Sequence, residues 1–233
     1  MQFQPPLIRG TLIKRYKRFL ADVLLESGET VVAHCPNPGS MRTCAEPGWT
    51  AWVSPSTNPK RKLKWTLELI ESDTARIMVN TSRPNAIVEA AIRAGEIDEL
   101  AGYETVRPEV KYGENSRIDL LLSGPDRPDC YVEIKNVTLL HTAKVAAFPD
   151  SVSKRATKHM HELAAMAAQG HRSVVFFLVS RSDVEAMQPA DDIDPTYSQA
   201  LRAALGNGVE AVARQLNISE HTLTVSSALP IHL

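Results

Sequence analysis

Between Phe19 and Val79 apolar and polar positions alternate with a period of two. Phe19, Ala21, Val23 and Leu25 are separated by Leu20, Asp22 and Leu24, and Ser27-Gly28 offers a turn into a second extended run over residues 30–33. Residues 49–54, 63–69 and 75–79 repeat the pattern. Five short strands of this kind predict a small closed barrel, with Phe19 in its core, rather than an open sheet. The stretch His34-Cys35-Pro36-Asn37-Pro38-Gly39-Ser40-Met41 carries two prolines and a glycine, which exclude regular structure and predict a fixed loop at a barrel corner.

After Asn80 the period changes. Pro84 opens a helix whose apolar face is Ile87, Val88, Ala91 and Ile92, and Gly95 closes it. Extended segments follow at residues 106–112, 117–122 and 130–135. A second helix over residues 152–169 places Val152, Ala156, Met160, Leu163, Ala164 and Ala167 at helical spacing. The run Ser173 to Val179 reads as a buried strand, Asp194-Pro195 starts a third helix ending near Ala204, and residues 222–226 look extended. The reading is therefore a barrel over residues 1–80 followed by an α/β domain over residues 81–233.

One hairpin breaks the apolar pattern. In "RIDLLLSGPDRPDCYVEIK", residues 117–135, a Gly-Pro-Asp turn joins two strands that each carry a carboxylate. Strand parity puts Tyr131, Glu133 and Lys135 on one side, and Val132 and Ile134 on the other. If Leu122 faces Cys130 across the turn, Asp119 stands opposite Glu133. Like charges at that spacing destabilise a sheet unless something positive intervenes. Lys135 supplies part of that charge, and two converging carboxylates also form a site for a hard cation, Mg²⁺ or Mn²⁺. A structural Glu133–Lys135 or Asp119–Arg117 pair is the simpler alternative. A cation held by Asp119 and Glu133, with Lys135 beside it, suits phosphodiester hydrolysis. Glu89 on the first helix is either a third acidic group of this site or the i,i+4 partner of Arg93. Arg155, Lys158 and His159 lie on or beside the polar side of the second helix, where they either meet a phosphate or face solvent.

Composition adds one feature. The 233 residues carry a formal net charge of -1, yet residues 1–64 hold ten cations against four carboxylates, +6, leaving -7 for the remainder. A basic first part suggests a polyanionic partner. Lys14-Arg15-Tyr16-Lys17-Arg18-Phe19 interleaves cations with aromatics, and Arg61 and Lys62 extend the patch, a combination suited to tracking a nucleic-acid backbone. Three unpaired cysteines, Cys35, Cys44 and Cys130, argue against a disulfide framework or a zinc ribbon. No stretch approaches the roughly 20 apolar residues of a membrane span, and the cytoplasm is the expected compartment.

The helix, the hairpin with Asp119 and Glu133-Ile134-Lys135, and the helix and strand that follow resemble the restriction-endonuclease-like nucleases of the PD-(D/E)xK motif, with Ile118 in place of the motif's proline. A closer resemblance covers almost the whole chain. "LIKRYKRFLADV", "HCPNPGSM", "NPKRK", "VKYGENSRIDLLL", "YVEIKNVTL", "FPDSVSKRATKHMHEL" and "GVEAVA" are similar to the sugar fermentation stimulation protein A family. That resemblance implies an N-terminal OB-fold, a nuclease-like α/β domain, DNA binding without sequence specificity, and a regulatory role in sugar (maltose) metabolism. The resulting expectation is a DNA-binding protein with a metal-dependent nuclease site. The alternative is a transcriptional regulator in which the nuclease fold is catalytically silent.

Overall fold

The computed structural model describes residues 1–113 and 116–233. Glu114 and Asn115, inside one of the motif segments above, lie outside the described residues. The first sheet is built from β1 (Ile8–Tyr16), β2 (Leu20–Leu25), β3 (Thr30–His34), β4 (Thr50–Pro55), β5 (Trp65–Glu71) and β6 (Arg76–Met78). Its order is β3-β2-β1-β4-β5-β6, and a parallel pairing of Ala33 with Trp65 and His34 with Thr66 joins β3 to β5. Five strands thus close on themselves and leave few open edges, while β6 extends β5. Alternate positions such as Leu12, Ala21, Val23, Val31, Val53 and Leu67 fill the interior.

Two expectations change here. The basic segment before Phe19 is itself a strand: Gly10 and Leu12 point inward while cations and Thr11 point out, so charge masked its period. Phe19 is not in the core but 45% exposed. Lys17 and Arg18 adopt positive φ to make the β1–β2 turn, and Phe19 sits on that turn with its N–H donated to Lys17 O.

The second unit begins with α1 (Pro84–Arg93) and continues through β7 (Thr105–Tyr112), β8 (Ser116–Gly124), β9 (Arg127–Val137), β10 (Leu139–Thr142), β11 (Val145–Phe148), α2 (Lys154–Ala168), β12 (Arg172–Val179), β13 (Ala186–Pro189), α3 (Pro195–Gly206), β14 (Val209–Ile218) and β15 (Leu223–Ala228). Its main sheet runs β15-β14-β12-β9-β8-β7, parallel where β12 meets β9 and β14 and antiparallel elsewhere. Strand parity sorts the two faces. Val132, Ile134, Val174 and Phe176 pack with Ile87 and Val88 of α1, whereas Val175 and Phe177 pack with Ala156, Met160 and Leu163 of α2 and Leu201 of α3. Ser153 and Asp194 cap α2 and α3 through their side chains.

The two units are locked together by buried polar contacts. Arg181, 2% exposed and held by Asp183 and Thr138 O, donates to Thr43 Oγ1 of the barrel at 3.4 Å, and its backbone bridges to Ile77 of β6. Glu68 of β5, 1% exposed, accepts from Arg83 Nη2 at 2.7 Å, Asn80 Nδ2 at 2.8 Å and Ser54 Oγ at 2.7 Å. Next to this cluster, Gln2 bridges to Thr222, and Phe3 lies against Arg83 and enters the core of the second unit.

Candidate metal-binding active site

Pairs Leu120–Val132, Leu121–Tyr131 and Leu122–Cys130 set the β8–β9 register at the value the turn implied. The ladder ends at Leu120. One residue further, the Ile134 N–H donates to the Asp119 carboxylate, Oδ2, at 2.7 Å, and Asn85 Nδ2 from the first turn of α1 donates to Oδ1 at 2.8 Å. Glu133, 3% exposed, points toward α2. Its Oε1 accepts from Lys135 Nζ at 2.7 Å and from His159 Nδ1 in a very short contact. His159 Nε2 in turn lies 3.4 Å from Arg155 Nε, which donates to it, so its partners put the ring proton on Nδ1. Glu133 Oε2 is buried and has no partner among the described residues.

The electrostatics follow from this placement. Burial, reinforced by the Glu133 charge, pushes the Asp119 carboxyl up to about 6. Burial acts on Glu133 in the same sense, but the His159 and Lys135 bonds outweigh it and hold Glu133 below its ordinary value. The pair is therefore differentiated: Glu133 is held below its ordinary value and clamped on one oxygen, while Asp119 takes up its proton at higher pH than an ordinary aspartate.

Asp119, Glu133 and Lys135 open into a cleft of about 390 Å³ that the barrel also walls, through Arg18, Asn37, Pro38 and Gly39. The proline-rich loop forms this wall because Arg15 holds it from behind, donating to the Asn37, Gly39 and Ser40 carbonyls at 2.9, 2.9 and 3.2 Å. Its tip is pinned across the cleft mouth to Asp150, which accepts from Ser40 Oγ and the Met41 N–H. A Cβ on Gly39 would stand 2.3 Å from Asp150 Oδ2, so close approach demands glycine there.

A family model described as the SfsA N-terminal OB domain matches residues 13–80, and one described as the sugar fermentation stimulation protein RE domain matches residues 82–222. The chain is 51% identical to the sugar fermentation stimulation protein homolog of Geotalea uraniireducens over 233 residues, covering all of both. It is 52% identical to that of Pelobacter propionicus over 229 residues, covering 98% of this chain and 99% of the other. This chain belongs to the sugar fermentation stimulation protein family. The solved structure of Pyrococcus furiosus SfsA in complex with Ca²⁺ is also similar, with a TM-score of 0.89 at 25% identity over all of this chain and 98% of that one. The family's OB barrel joined to an α/β domain is the architecture found here.

The remaining residues singled out from the sequence fall into three groups. His159 joins the carboxylates directly, while Lys158, one position earlier and exposed, lies 3.4 Å from Glu162 and donates to Ser116 Oγ at 3.1 Å. Glu89 is taken up by Arg93 at 2.8 Å, and Asn85, one turn earlier on α1, is the residue that reaches Asp119. Of the barrel group, Arg15 is a brace for the loop and Arg18 lines the cleft. Lys14 lies 3.5 Å from Asp22 and above the Tyr16 ring, Tyr16 donates to Asp22 at 3.0 Å, and Arg61 donates to Thr66 Oγ1 at 3.0 Å. Lys17 and Lys62 are exposed. Sequence reasoning missed Asn85, Asn37 and Asp150. The proline-rich loop signalled a rigid element, but nothing in its period says which cleft it faces.

Proposed function

We propose that this protein is a divalent-cation-dependent DNA nuclease, with Mg²⁺ or Mn²⁺ held by Asp119 and Glu133. The observation that carries the reading is Glu133 Oε2: a buried carboxylate oxygen without a partner among the described residues, beside Asp119, whose carboxyl burial and the Glu133 charge push up. An uncompensated oxygen of this kind is unfavourable unless a cation or ordered water satisfies it. The donor set is all oxygen, which suits a hard cation, and the Ca²⁺ complex of the Pyrococcus relative supports the same class of ion.

When bound, the cation would polarise a phosphodiester oxygen and lower the pKa of a water. The chain's own residues do the positioning. Asn85 and the Ile134 N–H orient Asp119; His159 and Lys135 clamp Glu133 Oε1 and leave Oε2 without a partner among the described residues. The Ile134 backbone, which also lines the cleft, offers its carbonyl as a third oxygen. Lys135 Nζ, with one donor spent on Glu133, has others to orient an attacking water or to stabilise charge on the phosphoryl oxygens. DNA would be held without sequence preference by Arg18, Arg155 and Lys158 around the cleft and by Lys14, Lys17, Arg61 and Lys62 on the barrel. A role in regulating sugar metabolism would act through that bound DNA.

A second reading, a DNA-binding regulator with a silent site, is favoured by the ion pair of Glu133 with Lys135 and the hydrogen bond it accepts from His159, which give the cluster a stable arrangement of its own. One experiment separates the two: incubation of wild type and Glu133→Ala with single- and double-stranded DNA in Mg²⁺, Mn²⁺ or chelator. Metal-dependent cleavage that disappears in Glu133→Ala supports the nuclease. DNA binding without cleavage under any of these conditions overturns it in favour of the regulator.

A further inference from the structure

A second cleft, of about 530 Å³, adjoins the first, and Arg155 lines both. Its walls come from β7, β8 and the first turns of α2, and among the described residues they carry Arg117, Lys154, Arg155 and Lys158 against one carboxylate, Glu109. His159 belongs to this second cleft yet bonds Glu133 in the first. The two clefts thus adjoin at Arg155 and at the Glu133–His159 contact, with Asp119 and Glu133 on the side of the first. The first cleft passes under the barrel turn, where Arg18 spends one donor on Pro38 O at 3.0 Å and carries Phe19 exposed beside it in sequence. Val152, 72% exposed, lies on the opposite wall.

We propose that the two clefts act as one bent channel and that it is the path of a single nucleic-acid strand. It threads between barrel and α/β domain past Arg18, crosses the carboxylates, and leaves over Arg117, Lys154 and Lys158, with a base stacked on Phe19 at the mouth. Three features point to one strand rather than a duplex. The carboxylate to be reached lies 3% exposed at the channel floor, where a stiff double helix cannot bring its backbone without unpairing. The barrel wall across the mouth is pinned to Asp150 and braced by Arg15, so the opening is held at that width. Cationic side chains line both clefts, Val152 is exposed on the first, and Phe19 is exposed next to Arg18 in sequence, a combination suited to following a flexible backbone while stacking its bases. The path takes its chemical meaning from the metal site proposed above, but binding along it does not require that site to be loaded.

Fluorescence anisotropy with labelled oligo(dT) and a blunt duplex of equal length, both in chelator so that no hydrolysis intervenes, tests the path. Wild type is expected to bind the single strand at least tenfold more tightly than the duplex. Arg117→Glu with Lys154→Glu should weaken single-strand binding tenfold or more and reduce its salt slope by about 1.4, the value for two lost phosphate contacts. Phe19→Ser should weaken it roughly fivefold or more without changing the slope. Duplex binding as tight as single-strand binding, or single-strand binding indifferent to both variants, overturns the path. The cleavage assay above remains a separate measurement, so loss of the nuclease reading and loss of the strand path give different results.

Discussion

Glu133 and His159 meet at the floor of the cleft through Nδ1 and Oε1, and that contact decides which carboxylate oxygen is left over. With Lys135 on the same oxygen, Oε2 is the carboxylate oxygen left without a partner among the described residues.

Cation binding should therefore be visible as stability. At concentrations about 100 times the dissociation constant, Mg²⁺ or Mn²⁺ should raise the unfolding free energy by about 2.7 kcal/mol, read as a shift in a thermal melt. Asp119→Asn should reduce that shift strongly. A wild-type melt that does not respond to either ion argues against the site.

The same pair makes a pH prediction for the metal-free protein. Asp119 titrates near 6 in the fold against an ordinary value of 3.8, so between about pH 4 and 6 the folded state binds more protons than the unfolded one. Stability contributed by Asp119 falls as pH rises through that window and is level above it, by on the order of 2–3 kcal/mol. Glu133 acts in the opposite sense, its contribution being present above its ordinary value and lost as pH falls. The Asp119 effect is thus the difference between wild type and Asp119→Asn in urea unfolding across pH 4 to 7, and that difference should grow toward pH 6 with the variant the more stable.

Lys135→Ala separates binding from chemistry. Removing a cation from beside Glu133 leaves both carboxylates in place, so the metal-induced melt shift should persist or increase. Cleavage should fall by about 10²–10³-fold, the effect of losing one group that stabilises developing charge. Equal loss of both signals would mean that Lys135 holds the site together rather than serving the reaction.

The cleft wall can be tested by a steric cycle. Gly39→Ala places a Cβ on Asp150 and should separate the loop from its anchor, weakening oligonucleotide binding and lowering the melting temperature. Asp150→Ala opens that space. The double variant should lose less than the sum of the two single changes, because the clash is absent once the carboxylate is gone.

Arg83→Ala should be among the most damaging single changes outside the cleft. It leaves Glu68 buried without its cation, which costs about 3–5 kcal/mol, whereas removing both charges together, as Glu68→Gln with Arg83→Met, should cost less. Denaturant midpoints at constant slope measure both.

Local rules carried much of this fold. Strand parity and a symmetric turn were enough to bring Asp119 and Glu133 together, helical spacing located α1 and α2, and the Asp194-Pro195 start signal located α3. What those rules could not supply was long-range docking. Asn85 reaches Asp119 only because α1 packs on Val132 and Ile134, and Asp150 meets Ser40 across 110 positions of chain. Arg15 looked like part of a DNA-facing patch because charge is visible in sequence, while the carbonyls that consume it are not. β14 was missed for a different reason: the spacing of Val209, Val212 and Ala213 suits a helix, and its partner β12 lies more than thirty positions away.

The rung missing from the β8–β9 ladder carries one more implication. Asp119 is positioned by a main-chain N–H rather than by any side chain of Ile134, whose own side chain looks toward α1. The position is therefore chemically silent yet conformationally strict: Val or Leu can stand there and leave the carboxylate aimed, while proline, lacking the N–H, releases it without altering a single ionisable group.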